Sequence, residues 1–266
     1  MQTELLEFPN KEGQKLRGII TLANEKPAKS VIFLHGFERC SSTEKKFKAL
    51  ADYLAEKNVA TFRLDFSGCG LSDGNFSTTT INRQGEDFLR AIPILQRKTG
   101  NERISVIAHS LGACVLASVI EKVEDQVEKI VLLAPALNQK ELLRYWFVTS
   151  QMKKIGSTKE TTWQNYRQNL DEKAFQEDCA RTDKMTKANY ISADYFLEGK
   201  EIDFSEALRR YDSRVFHVHG LKDITVPIES LSLKFSNRVI VESGDHDLEK
   251  PDQRERWLTD AGDFLR

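Results

Sequence analysis

The sequence predicts an α/β protein: an eight-stranded, mostly parallel sheet with helices on both faces and an inserted helical cap. Three observations carry that expectation. Short β-rich runs recur along the chain, amphipathic helical patterns alternate with them, and one long charged stretch interrupts the alternation.

The β-rich runs are "TELLEF", "LRGIITLA", "SVIFLH", "VATFRLD", "ISVIAHS", "KIVLLAP", "RVFHVHG" and "RVIVES". The first two flank "PNKEG", a turn-rich stretch suited to an antiparallel hairpin. The later runs are too uniformly apolar for one-sided exposure, so they should be parallel and buried. Helices between parallel strands then cover both faces of the sheet. "STEKKFKALADYLAEK" opens with a Ser/Thr cap and places Phe47, Leu50, Tyr53 and Leu54 on one face. "TINRQGEDFLRAIPILQRK" follows the same pattern, with Pro93 expected to kink or break it. "LGACVLASVIEKV" starts directly after Ser110, and "QRERWLTDAGDFL" closes the chain as a helix with Trp257, Leu258 and Phe264 on its apolar side.

The alternation stops after "LLAPAL". Residues 138–208 are charged and helix-prone, with no convincing strand before "RVFHVHG", and read as a cap inserted into a core made of 1–137 and 209–266. Nine of the chain's 24 aromatic residues fall between Tyr145 and Phe196. Such enrichment means that they build a small core of the cap, line a pocket, or do both.

A chain of 266 residues suits one large domain, and 40% apolar with 30% charged residues is the composition of an ordinary soluble globular protein. Basic and acidic residues balance at a net charge of -1, which leaves no basic stripe for nucleic acid. The start, "MQTELLEFPN", lacks the features of a secretory signal, and no apolar run nears the roughly 18 residues a membrane helix needs. Neither nucleic acid nor membrane is an expected partner. Cys40, Cys69, Cys114 and Cys179 lie far apart without C-x-x-C spacing, which argues against zinc or a disulfide scaffold and for a reducing, cytoplasmic compartment. A homodimer is compatible with the sequence.

Ligands of open α/β sheets bind beyond the carboxyl ends of the strands. Those positions hold His35-Gly36-Phe37, Asp65, His109-Ser110, His219-Gly220 with Asp223, and His246. "AHSLG" is a small-x-Ser-x-Gly elbow between strand and helix, with Ala108 replacing the usual first glycine. A serine hydroxyl becomes a nucleophile only when a base takes its proton and a third group fixes the base's tautomer. His109 adjoins Ser110 but points elsewhere from a sharp turn, His217 alternates into the sheet, and His35 and His219 belong to His-Gly turns. His246 alone lies in a polar loop beyond the last strand. Asp223 sits where its carboxylate could reach a ring nitrogen of His246, and the order Ser110, Asp223, His246 is the one such a sheet predicts. Asp65 is the reserve acid, with turn anchoring as its ordinary role; Asp245 and Asp247 adjoin the histidine too closely to face its ring. Backbone N–H groups of Phe37 and Leu111 are placed to form an oxyanion hole. This chemistry requires no metal and no organic cofactor.

Together these residues resemble the α/β-hydrolase superfamily over nearly the whole chain: "HGF", "DFSGCGLSDGNF", "AHSLG", "LAPA", "HGLKDITVP" and "GDHDL" occur in order. "RLDFSGCGLSDGNFSTTTI" and the position of the cap after "LAPA" resemble bacterial cinnamoyl and feruloyl esterases and related acyl esterases. The resemblance implies an α/β-hydrolase fold, a Ser110, Asp223, His246 triad, and an oxyanion hole from Phe37 and Leu111. It further implies a serine carboxylesterase that cleaves small-molecule esters of small to medium acyl groups through an acyl-enzyme. The cap sequence does not reproduce that of the feruloyl esterases, so a phenolic acyl group is not implied. A thioesterase, peptidase or carbon–carbon bond hydrolase would use the same triad, and a non-catalytic ligand-binding protein could share the scaffold.

Overall fold

"PNKEG" joins β1 (Gln2–Pro9) to β2 (Lys15–Leu22), which pair antiparallel with Gln2 opposite Leu22. The computed structural model describes residues 1–186 and 188–266. The strands that follow are β3 (Lys29–Leu34), β4 (Val59–Asp65), β5 (Ile104–His109) and β6 (Val127–Leu133). Next come β7 (Lys184–Met185), β8 (Tyr190–Ile191), β9 (Val215–Gly220) and β10 (Asn237–Val241). Eight of them form one sheet in the order β1-β2-β4-β3-β5-β6-β9-β10, antiparallel where β2 meets β4 and parallel from β4 to β10. The remaining pair, β7 and β8, is a small antiparallel ladder inside the segment expected to hold no strand.

Alternation along the central strands sorts side chains between two apolar layers. Ile32, Leu34, Val106 and Ala108 face the side covered by α2 (Ile81–Thr99) and α3 (Leu111–Val123). Val31, Phe33 and Ile107 face α1 (Lys45–Glu56) and the chain's last turns. Each fully buried Phe, Ile or Leu contributes about 1.5–3 kcal/mol relative to exposure, so this double-sided burial is what holds the sheet.

Three helical expectations need correction. The N-cap of α1 is Glu44, without a side-chain capping bond, because the Ser42 hydroxyl donates to Asp65 Oδ2 at 2.6 Å instead. Pro93 does not break α2; it sits on the solvent side, where the missing N–H leaves no buried backbone group stranded. Between β6 and β9 run α4 (Gln139–Lys154), α5 (Glu172–Cys179), α6 (Ala193–Gly199) and α7 (Ser205–Arg209). The closing helix is then two pieces, α8 (Pro251–Arg254) and α9 (Leu258–Phe264), because Trp257 between them is fully buried and its indole N–H donates to the Leu248 carbonyl at 3.3 Å.

The aromatic residues of 138–208 serve mixed ends. Tyr145 stacks edge-on against Trp163 and Tyr166 in a small local cluster. Phe175, Tyr195, Phe204 and Leu208 instead merge with the apolar layer over α3. Among the described residues no helix is long and apolar enough to cross a membrane.

Candidate active site

The chain leaves β3 toward one edge of the sheet and leaves β5 toward the other, so the loops after these adjacent strands diverge and open a crevice. Ser110 stands there, between β5 and α3, with φ 53° and ψ -117°. A non-glycine residue in that region stores about 1–3 kcal/mol of backbone strain, and here it turns the hydroxyl out of the sheet. The elbow closes tightly: a Cβ on Gly112 would sit 2.5 Å from the Leu34 carbonyl oxygen, so α3 can start here only with glycine at that position. Ala108, by contrast, has room for its methyl group within the apolar layer.

From the last strand's loop, His246 reaches back to the elbow. Its Nε2 lies 3.0 Å from Ser110 Oγ, and its Nδ1 lies 2.7 Å from Asp223 Oδ2. That network fixes the tautomer: Nδ1–H donates to the carboxylate, and Nε2 is left to accept from the serine hydroxyl. Asp223 follows β9 and is 5% exposed. Burial acts to raise its carboxyl, but hydrogen bonds from His219 and His246 and the backbone N–H of Val226 outweigh it and hold the group at about 2. Oδ1 accepts the N–H groups of Thr225 and Val226 at 2.9 and 2.8 Å, which leaves Oδ2 for the histidine.

The remaining candidates have other partners. Asp65 accepts from the Ser42 N–H and hydroxyl and from the Leu71 N–H, and anchors those turns. Asp245 meets the Leu248 N–H and Lys250, and Asp247 meets Arg39, so neither faces the His246 ring. His35 accepts from the Phe66 N–H, and burial holds it below the ordinary imidazole value. His109 Nε2–H donates to the His246 carbonyl oxygen at 3.0 Å. Neither Phe37 nor Leu111 has an acceptor for its backbone N–H among the described residues; Leu111 follows Ser110, and Gly36, just before Phe37, packs so close that a Cβ there would lie 3.1 Å from Ser110 Cβ.

Sequence reasoning missed His219. It lies inside β9, fully buried, with Nε2 3.5 Å from Asp223 Oδ2 and donating to the Val226 carbonyl at 2.8 Å, so it braces both ends of the acid's loop. The spacing H-x-x-x-D was a visible hint. Contacts from residues 138–208 were not visible. The Tyr145 hydroxyl and Trp146 indole N–H donate to the Ile224 and Thr225 carbonyls at 2.9 and 2.6 Å. Asn189 Nδ2 and the Thr186 hydroxyl donate to Glu38, the residue after Phe37. A cavity of about 620 Å³ opens between α4 and the acid loop, walled by Trp146, Met152, Trp163, Ile224 and Pro227. No cluster of three or more His, Cys, Asp or Glu side chains suited to a metal occurs among the described residues.

Among solved structures, the chain is similar to Est1E from Butyrivibrio proteoclasticus with bound ferulic acid, at 22% identity, 98% coverage of this chain, 97% of that one, and a TM-score of 0.77. It is also similar to the α/β hydrolase GrgF from Penicillium sp. sh18, at 17% identity, 100% and 98% coverage, and 0.71. The Pyrococcus furiosus esterase PF2001 follows at 19% identity, 99% and 90% coverage, and 0.67. At these identities the likeness is one of fold. Comparison with curated protein sequences gives no match. Residues 25–201 match the family described as Hydrolase_4, serine aminopeptidase, S33, and the chain therefore belongs to that family of α/β hydrolases.

Proposed function

We propose that the protein is a serine hydrolase of carboxylic esters with small to medium acyl groups, using Ser110 as nucleophile, His246 as base and Asp223 as its orienting acid. The observation that carries this reading is the continuous hydrogen-bond chain from Asp223 Oδ2 through His246 to Ser110 Oγ, at 2.7 and 3.0 Å. Three separate loops must converge to make it.

In this reading Ser110 Oγ attacks the ester carbonyl carbon while its proton passes to His246 Nε2. The ionised Asp223 stabilises the resulting imidazolium and keeps its ring in register. Negative charge gathers on the carbonyl oxygen, where the N–H groups of Phe37 and Leu111 donate to it. The tetrahedral intermediate collapses to an acyl-Ser110 as His246 passes its proton to the leaving alcohol. Water then attacks the acyl carbon as His246 takes its proton, and the second tetrahedral intermediate collapses as His246 returns that proton to the departing Ser110 Oγ, releasing the carboxylic acid. Residues 138–208 act as the cap that sets which acyl groups reach Ser110, a role supported by the bonds of Tyr145 and Trp146 to the acid loop.

The family's description as serine aminopeptidase favours one second reading, cleavage of an N-terminal residue from a peptide. Labelling with a fluorophosphonate probe, read by intact mass, tests the nucleophile: one adduct on the wild type and none on Ser110→Ala is expected. Absence of label on folded wild type would sink both readings. A panel of p-nitrophenyl esters beside aminoacyl p-nitroanilides separates them, with turnover of butyrate and hexanoate esters expected and turnover of the anilides alone overturning the esterase reading.

A further inference from the structure

Beside the His246 loop lies a buried ionic cluster that the chemistry just described does not use. Lys46, on the first turn of α1, is 1% exposed, and Glu44 beside it is 6% exposed. Lys46 Nζ lies 3.0 Å from Glu44 Oε2 and 3.6 Å from Glu249 Oε1. The Lys46 backbone N–H also donates to Glu249 Oε1 at 3.4 Å. Glu249 is three residues past His246. On the other flank, Glu44 Oε1 is 3.8 Å from His109 Nδ1, while His109 Nε2 holds the His246 carbonyl and the two imidazole rings lie 5.0 Å apart.

Elsewhere the inner face of α1 is apolar, built from Phe47, Leu50, Ala51 and Leu54. Lys46 breaks that pattern at a place where a leucine or methionine would avoid a desolvation penalty of several kcal/mol per ion. Buried ion pairs are poor sources of stability, so the benefit must be sought in position. The cluster touches the His246 loop at both ends, at the His246 carbonyl through His109 and at Glu249 directly. Between those ends Leu248 is held at φ 52°, a left-handed conformation that a non-glycine residue keeps only under constraint.

We infer that Lys46, paired with Glu44 and Glu249, is a positioning residue that holds the His246 loop so that the imidazole keeps its register between Asp223 and Ser110. The inference rests on the proposed triad for its effect on turnover, but not for its effect on the position of the ring. Burial pushes the Glu44 carboxyl up and the Lys46 ammonium opposes that rise, so removal of Lys46 favours a neutral Glu44. Glu249, which keeps 27% of its side chain exposed, then loses its anchor toward solvent. Burial, with the Lys46 charge adding to it, keeps His109 far below the ordinary imidazole value, so its neutral ring donates to the loop without repelling an imidazolium at His246.

The test uses the full chain with Lys46→Met, the charge-neutral double variant Glu44→Gln/Lys46→Met, and Lys48→Met as a control, since the Lys48 side chain is 65% exposed on the same helix. Two readouts are taken: kcat and KM on p-nitrophenyl butyrate, and the low-field proton resonance of His246 Nδ1–H. The Lys46 variants should lose about 10-fold to 100-fold in kcat with KM within about twofold, the signature of a misplaced group rather than lost binding. Their low-field resonance should shift or broaden, and the control should match wild type in both readouts. Should Lys46→Met not fold, the double variant decides. Folded variants whose resonance is unchanged, with only a lower Tm, would overturn the inference. A wild type that turns over no ester while the resonance still responds to Lys46 would overturn the esterase reading and leave the positioning role standing.

Discussion

Asp65 and Asp223 make an instructive pair. Both follow strands of the same sheet at its carboxyl edge, and both are buried, at 0% and 5% exposure. The donors around them differ. Asp65 is saturated by the Ser42 hydroxyl and by the N–H groups of Ser42 and Leu71, and Gly70 passes so close that a Cβ there would lie 2.2 Å from Oδ2. Asp223 spends one oxygen on two backbone N–H groups and turns the other to imidazoles, His246 at 2.7 Å and His219 at 3.5 Å. A carboxylate surrounded by fixed donors anchors a turn. One with an oxygen left for an imidazole can orient a base.

The largest test of that contrast is on turnover. Asp223→Asn should lower kcat on p-nitrophenyl butyrate by about 10³-fold to 10⁴-fold, because an amide in that place favours the wrong histidine tautomer. Its circular dichroism should stay native. Asp65→Asn should do the reverse. An amide cannot accept from all three donors, and a buried donor left unpaired costs about 1–3 kcal/mol, so urea unfolding should move while kcat stays within about tenfold. Equal activity losses in the two variants would erase the distinction.

A third buried carboxylate sharpens the comparison by sign. Burial raises Asp87 to about 6 despite a hydrogen bond from the Ser67 N–H. A raised folded-state value means that its contribution to stability is fully present below the unfolded value of 3.8 and is lost as pH rises through about 6. Asp223, held at about 2, behaves oppositely: its contribution is present above the ordinary carboxylate range and is lost as pH falls toward 2. Asp87→Asn should therefore stabilise the protein at pH 8 by about 1–3 kcal/mol and have almost no effect near pH 3. Thermal melts of wild type and variant across that range check it. A uniform gain at every pH would point to packing instead of charge. The smallest effect concerns the link between α4 and the loop of Asp223. Trp146→Phe removes one indole donor to the Thr225 carbonyl and should cost about 0.5–1.5 kcal/mol in Tm-derived stability, with a change in acyl-chain preference as the accompanying readout.

Much of the sheet was legible from sequence because its cause is local. All eight apolar runs became strands of one sheet, although the last, β10, is an edge strand that stays partly exposed rather than buried, and α3 starts and ends where its pattern does. Errors fell where a distant residue competed for a local one. Ser42 left the start of α1 for Asp65, Trp257 split the last helix by burying itself, and two-residue strands formed within 138–208 where pattern was too short to read.

Sequence alone determined the alternation of strands and helices, and which serine, aspartate and histidine could lie at the carboxyl edge, since periodicity and strand order depend on neighbours along the chain. Tertiary structure alone decided which partners those groups found. His246 meets Ser110 across 136 residues, Lys46 meets Glu249 across 203, and His219 turns from a turn residue into a brace for Asp223. The first two pairings arise from packing two faces of a sheet and closing its loops over one edge, and no short stretch of sequence contains both halves of either; the third lies within H-x-x-x-D, where only the folded strand and its loop bring the two side chains together.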